Sequence, residues 1–126
     1  FGQRGSHDPK QAPSIKLSAF SDSTFILIYK SSTMYALIEE AFRQAGFHPQ
    51  VLFTTSSTYS MKSMVRLGLG CALIPGAYVD YDEEISWFHL DPPPTWLVTM
   101  CTGKGLPLTE AEMTLLKLCK DYWQKK

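Results

Sequence analysis

The chain has 126 residues, and its 12 Lys+Arg balance its 12 Asp+Glu, so the formal net charge is zero. That length suits one domain or one lobe of a larger molecule, and a chain of this size buries roughly two-thirds of its unfolded surface without a disulfide framework. A hydrophobic fraction of 44% excludes a disordered tail, the charge balance argues against a nucleic-acid-binding face on this segment, and no apolar run approaches the roughly 20 residues of a bilayer span.

The first residue is Phe1, not Met, which reads as a start inside a longer product. Phe1–Ser6 (FGQRGS) has no apolar period and is set aside as an expression scar or loop remnant. Residues 17–22 read as a short helical turn. Thr24–Tyr29 (TFILIY) is an unbroken apolar run with β-branched and aromatic members, the pattern of a strand covered on both faces. A helix follows. Met34, Leu37, Ile38, Ala41, Phe42 and Ala45 make one apolar stripe, with Glu39, Glu40, Arg43 and Gln44 opposite. Ser32 or Thr33 caps its first turn, Gly46 supplies a left-handed stop, and Pro49 prevents continuation.

The unit then repeats. Gln50–Thr54 reads as a second strand, and Thr55–Thr58 as another hydroxyl-rich helix start. Tyr59, Met61, Met64 and Val65 form a shorter stripe ending at Gly68, and Cys71–Pro75 (CALIP) reads as a third buried strand. Strand, helix, strand, helix, strand implies parallel pairing through right-handed crossovers. The second half changes character. Residues 77–84 are polar and acidic, Ile85–Leu90 reads as a marginal strand, Asp91–Pro94 as a stiff connector, and Trp96–Cys101 (WLVTMC) as a further strand. The last helix is signposted by a Thr109/Glu112 capping box, with Leu115, Leu116, Leu118, Cys119, Tyr122 and Trp123 on one face.

Most catalytic signals fail on inspection. Cys71, Cys101 and Cys119 have no CxxC spacing and read as buried thiols of a reducing cytoplasm. His7, His48 and His89 are dispersed, so no metal site is expected. Asp80, Asp82, Glu83 and Glu84 lack the ligand spacing of a calcium loop and read as a solvated acidic segment. Thr102–Gly105 is no phosphate loop, since Val98 replaces its leading glycine and Gly105 the hydroxyl after the lysine. What remains is a pair of hydroxyl-rich turns. Ser31-Ser32-Thr33 and Thr55-Ser56-Ser57-Thr58 each lie between the carboxyl end of a strand and the amino end of a helix. Ligands of open α/β sheets sit beyond the carboxyl ends of the strands, and helix amino termini attract anions. Lys30, Lys62 or Arg66 can add positive charge. Routine helix capping is the competing explanation for each single hydroxyl.

At this point the sequence becomes familiar. EEAFRQAGFHP (Glu39–Pro49) followed by a strand, then MVRLGLGCALIP (Met64–Pro75), resembles the effector-binding domain of LysR-type transcriptional regulators. PSIKLSAFSDSTFILIYKSST resembles the start of that family's second regulatory lobe, and LPLTEAEMTLLKLCKDYW its C-terminal helix. The resemblance runs from Asp8 to Trp123. It implies an α/β, type 2 periplasmic-binding-protein-like lobe, mostly parallel sheet with flanking helices. Residues 1–7 would be a tag or loop remnant and residues 8–108 the regulatory lobe. Residues 109–126 would be an amphipathic helix that returns to a first lobe lying outside this sequence. The implied role is effector sensing in a cytoplasmic transcription factor, without catalysis or cofactor. DNA would be contacted only through a separate helix-turn-helix domain.

Carried to this chain, the effector-facing positions are Ser31, Ser32 and Thr33, then Thr55, Ser56, Ser57 and Thr58, and more weakly the turn at Pro75 and Gly76. Thr33 is the leading single candidate. The unpaired final helix implies a homodimer or a swapped oligomer, and half a cleft implies weak effector binding. A fragment of a solute-binding protein would share the fold. An enzyme on the same scaffold would need a catalytic dyad that the sequence does not offer.

Overall fold

The computed structural model describes residues 4–125. They fall into two compact units that divide between Trp96 and Leu97. In the first unit, Ser14–Ile15 forms a short strand, β1, and a 3-10 turn over Leu17–Phe20 leads to β2 (Thr24–Ile28). Helix α1 (Thr33–Ala45), β3 (Gln50–Thr55), helix α2 (Thr58–Arg66) and β4 (Cys71–Ala72) follow. A 3-10 turn at Gly76–Tyr78 precedes β5 (His89–Leu90).

The three-stranded sheet has the order β3-β2-β4, and both of its pairings are parallel. The apolar run of β2 makes it the central strand. Phe25, Ile26 and Leu27 are all buried, as expected for a strand covered on both faces. Phe25 and Leu27 form the core with Leu17 and with Ile38 and Phe42 of α1. Ile26, fully buried, points the other way by strand alternation, while Met61 of α2 is also buried and α2 packs against β2, β3 and β4. Phe42 meets Phe25 edge-on at 4.9 Å and Phe47 at 5.3 Å.

Two glycines have a specific cause. Gly46 takes φ 79° after α1, and its N–H closes onto the carbonyls of Phe42 and Arg43. Gly70 passes so close to β2 that a Cβ there would sit 2.5 Å from the Thr24 carbonyl oxygen.

The second half differs from the sequence pattern. The strand expected over Cys71–Pro75 pairs for two residues only, opposite Phe25 and Ile26. Proline then offers no ladder donor, and the chain turns. Of Ile85–Leu90, only His89–Leu90 forms a strand, pairing parallel with β1. Trp87 instead exchanges two backbone hydrogen bonds with Ser6, so the leading segment, set aside above, attaches to the fold at that residue. His7 follows with Nδ1 2.9 Å from the Ile85 carbonyl.

The strand expected over Trp96–Cys101 is absent. Its composition is right, but a strand exists only by pairing, and no partner strand lies beside it among the described residues. In the second unit, α3 (Glu110–Gln124) starts at the expected capping box. The Thr109 Oγ1 accepts from the Glu112 N–H, and the Glu112 carboxylate accepts from the Thr109 N–H. Its Leu115, Leu118, Tyr122 and Trp123 are exposed, while Leu116 and Cys119 are partly covered. The three cysteines are free thiols. Cys101 is exposed and the other two are half-buried, so they do not form the uniformly buried set read from the sequence. Among the described residues, no helix is long and apolar enough to cross a membrane.

Candidate functional site

Parallel pairing places the carboxyl ends of β2, β3 and β4 on one edge of the sheet. The turn after β2 is central because β2 is the central strand. The turn after β3 lies on one side of it and the turn after β4 on the other. The first two are tied directly, with the Tyr29 N–H donating to the Thr55 carbonyl at 3.2 Å. Ala72 pairs with Ile26, and Pro75 lies as far beyond Ala72 as Tyr29 lies beyond Ile26. The topology therefore sets all nine candidate positions along a single edge.

The hydroxyls divide by local role. Ser32 is the N-cap of α1, and its Oγ accepts from the Met34 N–H at 3.2 Å. Ser57 is the N-cap of α2 and accepts from the Ser60 N–H at 3.3 Å. Thr55, nearly buried, accepts from the Ser57 N–H at 3.1 Å and holds that turn in shape. The Ser32 and Ser57 oxygens, only partly buried, each keep an O–H that can still be donated. Ser31, Thr33 and Ser56 are exposed, and Thr58 is half-exposed. Thr33 and Thr58 are the first residues of their helices, where backbone N–H groups lack intrahelical acceptors. Two helix amino termini with donor hydroxyls thus face one edge. Helix amino termini favour negative charge, so the electrostatics of this arrangement suit an anion. None of the nine residues carries a carboxylate, an imidazole or an amine.

The charges behave differently from the sequence reading. Lys62 and Arg66, one turn apart on α2, are already engaged. Lys62 donates to Asp80 at 2.9 Å, and the Arg66 guanidinium donates twice to one Asp82 oxygen, at 2.9 and 2.6 Å. The other Asp82 oxygen accepts from the Glu84 N–H at 3.0 Å. Asp82 is buried, which corrects the reading of this acidic segment as uniformly solvated. Arg66 holds the Asp82 carboxyl below the usual carboxylate range, against the opposing effect of burial. The segment over residues 80–84 therefore straps α2. Residue spacing gave no sign of this pairing, since the partners lie 16 and 18 positions apart. Lys30, exposed beside Ser31, makes no ion pair among the described residues, so it is a cation available to this edge. Desolvation pushes the Cys71 thiol up.

The family model described as the LysR substrate binding domain matches residues 6–124. The malonate utilization transcriptional regulator of Klebsiella pneumoniae is 32% identical over 78 residues, 61% of this chain and 25% of that protein. The aligned part thus spans about a quarter of the length of that relative. A solved structure, the effector binding domain of QuiR in complex with shikimate, matches with a TM-score of 0.48 and 21% identity over 52% of this chain and 32% of that one. With the family model covering nearly every residue from Ser6 onward, this chain belongs to the LysR substrate-binding domain family.

Proposed function

We propose that this chain is the second regulatory lobe of a LysR-type transcription factor and senses a small anionic metabolite at the carboxyl edge of its sheet. The observation that carries this reading is the convergence of three strand-to-helix turns on that edge, two of them opening α-helices. Ser31, Ser32, Thr33, Thr55, Ser56, Ser57, Thr58, Pro75 and Gly76 form this lobe's half of the site. The lobe occupies residues 8–108, and residues 109–126 are the helix that meets a first lobe. The module binds and switches without catalysis. The effector shifts the population of subunit arrangements by its differential affinity for them. DNA contact belongs to a helix-turn-helix domain of the whole regulator, which acts in the cytoplasm.

The relative's role in malonate utilization makes malonate the first probe, since its two carboxylates suit two helix amino termini. Titration of the isotope-labelled chain should move the amide signals of Thr33, Met34, Thr58 and Tyr59. Half a cleft supports only weak binding, with a Kd on the order of millimolar. A titration with malonate and other small carboxylates that leaves those four amides still would refute the site.

The exposed α3 stripe and the open edge strand β3, with Val51, Leu52 and Phe53 exposed, support self-association as a homodimer or swapped oligomer. Sedimentation at high concentration should show a dimer or larger species, and a clean monomer would refute that part of the reading.

A further inference from the structure

A second concavity lies away from the carboxyl edge, on the flank of α1. It is a cavity of about 510 Å³, within the size range of small-molecule sites. Leu17, Leu37, Ala41, Ala45 and Leu90 give it an apolar floor, and the consecutive rings of Pro92, Pro93 and Pro94 form a wall. Its polar rim is unusual in its charges. The parallel register pairs Ile15 with Leu90, so Lys16 and Asp91 stand next to each other where β1 and β5 end. The Asp91 N–H donates to the Ile15 carbonyl at 3.0 Å, which fixes that juxtaposition. Both residues line the cavity and are exposed, and neither makes an ion pair among the described residues. Glu40, also on the rim, is already satisfied by Arg43 and Gln44.

A cation and an anion side by side, over an apolar floor with a proline wall, are complementary to a zwitterion with an apolar body. We propose that this cavity binds an aromatic α-amino acid. Its carboxylate meets Lys16 and its ammonium meets Asp91. The ring lies on the Leu–Ala floor against the prolines, whose flat apolar rings pack well on aromatic faces. The site is separate from the carboxyl-edge effector site and does not depend on it.

The test uses the 126-residue chain with three probes: L-phenylalanine, 3-phenylpropanoate, which lacks the ammonium, and phenethylamine, which lacks the carboxylate. L-Phenylalanine should shift the amide signals of Ala41, Ala45 and Leu90, and each truncated analogue should bind about tenfold more weakly or worse. Lys16→Gln and Asp91→Asn should each weaken L-phenylalanine by about tenfold with unchanged thermal midpoints, because both side chains are exposed. The proposal is overturned by any of three results. These are no shift at about 10 mM L-phenylalanine, an analogue that binds as well as the amino acid, or shifts confined to the amides of Ser32 and Ser57.

Discussion

Removing the Phe42 ring tests whether packing of α1 on β2 is what holds the candidate site in place. The ring is 4% exposed and lies edge-on to Phe25 at 4.9 Å and to Phe47 at 5.3 Å. Burying a phenyl group stabilises by about 1.5–3 kcal/mol, and each edge-to-face contact adds about 0.5–1.5 kcal/mol. Phe42→Ala should therefore cost about 3–5 kcal/mol, in keeping with other Phe-to-Ala changes in packed cores. Small domains have about 5–15 kcal/mol in total, so the variant sits near its limit. Phe42→Leu, which retains most of the apolar volume, should cost about 1–2 kcal/mol and keeps the measurement accessible. Urea unfolding followed through the amide signals of Thr24–Ile28 reports on this packing directly. Tyr59→Ala, at a residue 75% exposed, should stay within about 0.5 kcal/mol of the parent. The reasoning is wrong if Phe42→Ala unfolds within about 1 kcal/mol of the parent, or if the leucine variant is the less stable of the two.

Four other outcomes are expected. Ser57→Ala removes the cap of α2 and should cost about 1 kcal/mol by urea unfolding. Ser57→Asp keeps the cap and the stability yet repels an anion, so malonate shifts should vanish while the melting point holds. Asp82 has a depressed folded-state pKa, set first by its hydrogen bonds from Arg66. Its contribution to stability is present above the unfolded carboxylate range and is lost as pH falls through the folded value, so Asp82→Asn should flatten the acid limb of a melting-temperature-versus-pH profile. Gly70→Ala would push a Cβ against the Thr24 carbonyl and should destabilise by about 1–3 kcal/mol in the same urea assay.

The first half of the fold was legible because its signals are local. The unbroken run of β2, the apolar stripe of α1, its Ser32 cap and Gly46 stop, and the Thr109/Glu112 box each depend on residues within a few positions of one another. Alternation of strand and helix then dictated parallel pairing, and with it the shared edge that carries the two hydroxyl-rich turns. Tertiary structure decided what depends on distant partners. Only the packing of the 80–84 segment on α2 shows that Lys62 and Arg66 are taken by Asp80 and Asp82, leaving Lys30 beside the edge with no ion pair among the described residues. Only pairing shows that Cys71–Pro75 contributes two strand residues and that Trp96–Cys101, strand-like in every residue, forms none. A side chain's preference for extended backbone is intrinsic, but a strand, an ion pair or a cavity rim needs a second segment whose position no local pattern encodes.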